Sequence, residues 1–112
     1  MKRHGSVIGL EPEKIVEYKR LHAAVWPEIL EKIKECHFEN YSIFLRKLPD
    51  ANFYLFSYFE YTGTDFTADC AKMAADLRTQ EWWALCMPCQ RPLPDRTEGE
   101  WWADMEEVFH AD

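Results

Sequence analysis

Between Asn40 and Tyr61 the chain runs NYSIFLRKLPDANFYLFSYFEY. Two segments rich in β-branched and aromatic residues, Asn40 to Leu48 and Phe53 to Tyr61, flank the turn formers Pro49-Asp50-Ala51-Asn52, which predicts a β-hairpin. The second strand carries large apolar residues on both alternating faces: Phe53, Leu55 and Phe59 on one, Tyr54, Phe56 and Tyr58 on the other. Both faces are therefore expected to be covered. In so small a sheet helices cover only one, which leaves the other for a second subunit.

Outward from the hairpin, the remaining elements alternate in type. Arg3 to Leu10 (RHGSVIGL) is a first strand, weakened by Gly5 and Gly9, where another backbone or a ligand can approach closely. Glu11-Pro12-Glu13 starts a helix that places Ile15, Tyr18, His22 and Val25 on one face. Trp26-Pro27 breaks it, because the residue before a proline is pushed out of helical geometry. The helix restarts at Pro27 with Ile29, Leu30 and Ile33 as its apolar stripe.

Downstream, Thr64 to Leu77 reads as a helix with Thr64 or Asp65 near its cap, and Thr79 to Cys89 as another capped by Thr79. Arg91 to Gly99 is loop chemistry. In the tail, Trp101, Trp102, Met105, Val108 and Phe109 fit a helical stripe better than an alternating strand. The order strand, helix, strand, strand, helix and a terminal element predicts a ferredoxin-like α+β fold: an antiparallel sheet with helices on one face.

A length of 112 residues suits a single domain, 1–112, and 47% hydrophobic residues supply its core. Five Trp, five Tyr and seven Phe are more than so small a core can bury, so some are expected at a ligand site or a subunit interface. The formal charge of −7, with no dense basic cluster, argues against nucleic acid as a partner. No apolar run approaches bilayer-spanning length, and the start MKRHGSVIGLEPE lacks the apolar core of a signal peptide, so the expected address is the cytoplasm, away from the membrane. In that compartment Cys36, Cys70, Cys86 and Cys89 are expected as free thiols. Cys86 and Cys89 have CxxC spacing, but a zinc site needs a second ligand pair and the chain offers no matching CxxC or HxxxH, so no metal is expected.

The candidate chemistry lies in EYKRLH and the WPE that follows, Glu17 to His22 and Trp26 to Glu28. Tyr18 and His22 are helical neighbours at a spacing of four, and an imidazole beside a phenol is an acid–base pair. From spacing alone, packing on an inner helix face is the commoner role for such a pair. Trp82-Trp83 and Trp101-Trp102 add a second signal. Adjacent indoles on a helix point in different directions, so at least one ring is expected in a cleft, where its face suits the C–H face of a sugar.

The blocks EYKRLHAAVWPEI (17–29), NYSIFL (40–45), EWW (81–83) and EVF (107–109), in this order over about the whole chain, resemble the L-rhamnose mutarotase family. The most specific part is Tyr18, His22, Trp26, Pro27 and Glu28. The resemblance implies that His22 is the catalytic acid and that Tyr18, Tyr41 and Trp82 or Trp83 line a monosaccharide pocket; Trp26 and the Trp82-Trp83 pair can offer an apolar seat to a sugar's methyl group. It also implies a homodimeric α/β barrel in which a C-terminal strand helps the subunits pair, so the end of the tail is expected as a strand against its periodicity. The CxxC after Trp83 and the Trp101-Trp102 pair depart from the pattern and bear on which sugar is bound.

Anomer exchange of a 6-deoxyhexose needs one proton delivered to the ring oxygen and one taken from the anomeric hydroxyl, with no cofactor. His22 with Tyr18, a carboxylate or a water as second group suffices. Other readings of the same residues are L-fucose as the sugar, a non-catalytic dimeric ferredoxin-like binding module, and a cofactor-free monooxygenase of the dimeric α/β-barrel kind, which a flat aromatic substrate would favour.

Overall fold

The computed structural model describes residues 1–112. Its regular elements are β1 (Lys2–Leu10), α1 (Ile15–Ala23), α2 (Pro27–Glu35), β2 (Phe38–Lys47), β3 (Phe53–Tyr61), α3 (Phe66–Ala75), α4 (Leu77–Cys86), β4 (Gln90–Arg91) and β5 (Ala103–Met105), with short 3-10 turns at Pro12–Lys14 and Met87–Cys89. All strand pairs are antiparallel, in the order β2-β3-β1-β4, and β5 also pairs with β1. The expected α+β fold is present. The hairpin turns at Leu48–Asn52, where the Leu48 amide donates to the Asn52 carbonyl at 3.0 Å.

β1 pairs along its whole length with β3, from Lys2 opposite Tyr61 to Leu10 opposite Phe53, and takes β4 and β5 on its other edge. Gly9 makes the β4 contact possible: a Cβ there would lie 2.6 Å from the Arg91 carbonyl oxygen. One face of the sheet, with Ile8, Leu10 and Leu55, packs with Tyr18, Leu21, Ile29, Trp82, Cys86 and Cys89 from the helical segments into the main core. Each large apolar side chain sealed there contributes about 1.5–3 kcal/mol. The opposite face, where Phe44, Phe56 and Val7 lie in one cross-strand row, is half-buried to exposed; Phe44 is 63% exposed.

The hairpin contains a bulge that the alternation pattern does not announce. Glu39 pairs with Glu60 and Ser42 with Tyr58, so Asn40 and Tyr41 together oppose Phe59. Asn40 absorbs the extra residue at φ 49°, a left-handed conformation that asparagine tolerates. The bulge changes the phase of β2. Phe38 faces the helices before it, and Tyr41, Ile43 and Leu45 face them after it.

The sequence-based element boundaries need four corrections. Leu30 is 55% exposed, so the stripe of α2 is Ile29 and Ile33. Val25 lies beyond the end of α1 and reaches the core from the connecting segment. The helix expected over Thr64 to Leu77 begins at Phe66, with Asp65 as its cap, and stops at Ala75 because Asp76 is extended. Asp76 then caps α4: its carboxylate accepts from the Thr79 amide at 3.0 Å and the Thr79 hydroxyl at 2.8 Å. Thr79 is thus the third residue of α4 and not its cap, and α4 ends at Cys86.

The tail forms a strand at Ala103–Met105, and residues 106–112, including the expected strand around EVF, have no regular structure. The open edge of β1 offers unpaired backbone groups, and pairing with them outweighs the helical spacing of the tail's apolar residues.

Candidate active site

Tyr18 and His22 project from α1 as a stacked pair, ring centres 4.2 Å apart. His22 Nδ1 lies 2.9 Å from the Tyr18 carbonyl oxygen. A carbonyl only accepts, so Nδ1 carries the hydrogen, and in the neutral ring Nε2 is left with a bare lone pair. Burial lowers the His22 pKa below the usual imidazole value, against the raising effect of the bond to the Tyr18 carbonyl. The ring is therefore neutral at neutral pH and presents a base.

α4 brings Trp82 against this pair. Its ring meets His22 edge-on at 5.5 Å and Trp26 edge-on at 5.1 Å. Trp26 sits where Pro27 separates α1 from α2, and the Arg78 guanidinium stacks 3.6 Å from its ring centre. Trp83, one position after Trp82, is turned by about 100° around the helix. It is 36% exposed and makes no ring contact with the others.

Tyr41 arrives from β2, aimed inward by the bulge and packed 5.4 Å from Phe59. Tyr41 is 43% exposed, and desolvation pushes its pKa up to about 12, with a smaller contribution from the Cys86 thiol. Beyond Phe59 lies a cavity of about 390 Å³ bordered by His4, Ser6, Phe66, Trp102 and Asp104, among others. Tyr18, His22, Trp26 and Trp82 thus form one connected cluster, Tyr41 packs on Phe59 on the same side of the sheet, and Trp83 stands apart.

Two residues that sequence reasoning did not place with this cluster are hydrogen-bonded into it. The Gln90 Nε2–H donates to the Tyr18 hydroxyl oxygen at 3.2 Å, and the Trp101 Nε1–H donates to Gln90 Oε1 at 2.7 Å. Gln90 is 72 residues from Tyr18, and no local pattern points to it. The unusual Trp101-Trp102 pair was the only signal. Burial raises the Tyr18 pKa and the Gln90 bond partly opposes it, so the phenol keeps its proton.

The four cysteines are unpaired. Burial pushes the Cys86 thiol up to about 12 and raises the Cys89 pKa too, so neither is a thiolate at neutral pH. No group of three or more His, Cys, Asp or Glu side chains is arranged to hold a metal ion.

An antiparallel α+β fold thus brings a neutral imidazole, a protonated phenol and two indoles into one side-chain cluster, a set of groups suited to acid–base chemistry. The family profile of L-rhamnose mutarotase matches residues 3–111, and the chain belongs to that family. It is 34% identical over 112 residues to the L-rhamnose mutarotase of Oceanobacillus iheyensis and 32% identical over 112 residues to that of Bacillus subtilis, with each chain covered completely. The crystal structure of L-rhamnose mutarotase FA22100 from Formosa agariphila superimposes with a TM-score of 0.76 at 23% identity over the full length of both chains, a likeness of fold.

Proposed function

We propose that this chain, acting as one domain, interconverts the α and β anomers of L-rhamnose, with His22 and Tyr18 carrying the protons. Tyr41, Trp26 and Trp82 line the sugar's seat and Trp83 stands at its rim. The observation that carries the reading is the bare Nε2 of a half-buried, neutral His22 stacked on a phenol that keeps its proton.

In ring opening, His22 Nε2 takes the proton of the anomeric hydroxyl while the C1–O5 bond breaks and the Tyr18 hydroxyl gives its proton to O5. The products are an open aldehyde, an imidazolium and a phenolate. Rotation about C1–C2 presents the other face of the carbonyl. O5 then re-adds, its proton returns to Tyr18, and the imidazolium gives its proton to O1. His22 is thus the base of opening and the acid of closing, whereas the resemblance implied an acid alone. No oxidation state changes and no group is transferred, so two side chains suffice. An acid–base pair of this kind is worth about 10²–10⁴ in rate, enough for a reaction that proceeds slowly by itself.

Trp26 and Trp82 offer an apolar seat to the C6 methyl group, and the named relatives act on L-rhamnose by their descriptions, which favours it over L-fucose. The row of exposed Phe44 beside half-buried Phe56 and Val7 supports a homodimer joined through this face. Unpaired thiols fit the cytoplasm as its address.

Exchange NMR between the α and β anomeric protons of L-rhamnose tests the assignment. His22→Ala should slow enzyme-dependent exchange at least tenfold, within the range of a lost acid–base group, while the circular dichroism spectrum stays that of the parent. Exchange at the parent rate, or loss of the fold, removes His22 from the chemistry.

A further inference from the structure

The polarity of the Trp101–Gln90–Tyr18 chain follows from the chemistry of its first member. An indole N–H can only donate, so the Gln90 group 2.7 Å from Trp101 Nε1 is the amide oxygen. The amide NH₂ must then face Tyr18, 3.2 Å away, and the Tyr18 oxygen accepts from it. A hydroxyl that accepts from Gln90 does not spend its own hydrogen there, and no other partner takes it within the protein. The amide in the opposite orientation would present its oxygen to Tyr18 and take that hydrogen for itself.

Gln90 is held firmly enough to impose this orientation. Its backbone pairs with Leu10 in the short strand β4. On one side the Glu11 amide donates to the Cys89 carbonyl at 2.8 Å. On the other the Arg91 guanidinium grips the Glu11 carboxylate with two bonds, 2.9 and 2.8 Å.

We propose that Gln90, oriented by Trp101, is a positioning residue that turns the Tyr18 O–H toward the sugar. The proposal rests on the reading of His22 and Tyr18 as the proton carriers. Gln90 does not exchange a proton itself; it determines which way the Tyr18 hydrogen points, as a second-layer partner orients a reacting group. Trp101 is then a functional residue through its N–H and not only through its packing.

The test is to follow L-rhamnose anomer exchange in Gln90→Leu, Gln90→Glu and His22→Ala beside the parent, each first shown folded by circular dichroism. Gln90→Leu removes the donor and should lower kcat at least threefold with KM within twofold of the parent. Gln90→Glu keeps the shape and reverses the polarity, because a carboxylate accepts from Trp101 and from Tyr18 and pulls the Tyr18 hydrogen away. Its kcat, taken as a ratio to the parent at each pH, should be reduced at pH 8 and rise as the pH is lowered, since the protonated carboxyl regains a donor for Tyr18.

A kcat within threefold of the parent for Gln90→Leu, or a loss confined to KM, overturns the proposal. So does a Gln90→Glu ratio that is flat with pH. If one Gln90 variant fails to fold, the other decides alone. His22→Ala separates the two levels: a slow His22→Ala beside a parent-like Gln90→Leu removes only the role of Gln90, while a parent-like His22→Ala removes the reading beneath it.

Discussion

His22 owes its proposed role to a single local bond. Four residues back along the helix, the Tyr18 carbonyl takes Nδ1–H and leaves Nε2 free, and burial keeps the ring neutral. The expected pH dependence follows with a definite sign. A group that must start as a base loses activity when it is protonated, so kcat/KM should be flat at neutral pH and fall on acidification, with a midpoint below the ordinary imidazole value of about 6.5. Exchange rates measured from pH 4 to 9, with the spontaneous rate subtracted, check this. A rate that falls as pH rises through the same region would make His22 the acid of the opening step, as the family resemblance implied.

At the scale of elements, α3 and α4 are two helices because Asp76 leaves helical geometry and spends its carboxylate on Thr79. The junction sets where Trp82 falls on α4 and so where its ring meets His22. Asp76→Ala removes the cap, and the melting temperature should drop by roughly 2–8 °C. The Thr79 bonds lower the Asp76 pKa. Its stabilisation is therefore present above the ordinary carboxylate value of about 3.9 and is lost as pH falls through the lower folded value. Asp76→Asn, a neutral cap, should lose less stability than the parent over that acid range in thermal melts followed by circular dichroism. The β2 bulge acts at the same scale. Without the extra residue at Asn40, strict alternation from Phe38 would turn Tyr41 to the sheet's open face.

At the scale of the whole molecule, the radius of gyration of 14.3 Å exceeds the ~13 Å expected of a chain this long. The sheet is covered on one side only, and the tail beyond β5 carries Val108 and Phe109 at 87% and 80% exposure. An apolar row on the open face is the ground on which a subunit contact is proposed. Light scattering at micromolar concentration should give twice the 13.4 kDa chain mass, and Phe44→Glu, which sets a charge in that row, should shift the mass toward that of one chain. A parent of single-chain mass would remove the dimer proposed through this face.

What the amino-acid sequence determined by itself is what depends on near neighbours. Turn formers at Pro49 to Asn52 between two β-rich segments made the hairpin legible, the Trp26-Pro27 step placed the break between helices, and a spacing of four set Tyr18 beside His22. That Tyr18, His22, Trp26 and Trp82 belong together was legible too, because the blocks holding them are specific as a set, and their rings do meet. Tertiary structure alone decided the rest. The tail's spacing favours a helix, yet Ala103–Met105 is a strand because β1 has a free edge. Trp82 and Trp83 are the same residue type one position apart, and only the packing of α4 makes the first buried and the second exposed. Gln90 meets Tyr18 because the glycine at position 9 lets β4 close against β1, a contact between segments that no window of sequence contains together.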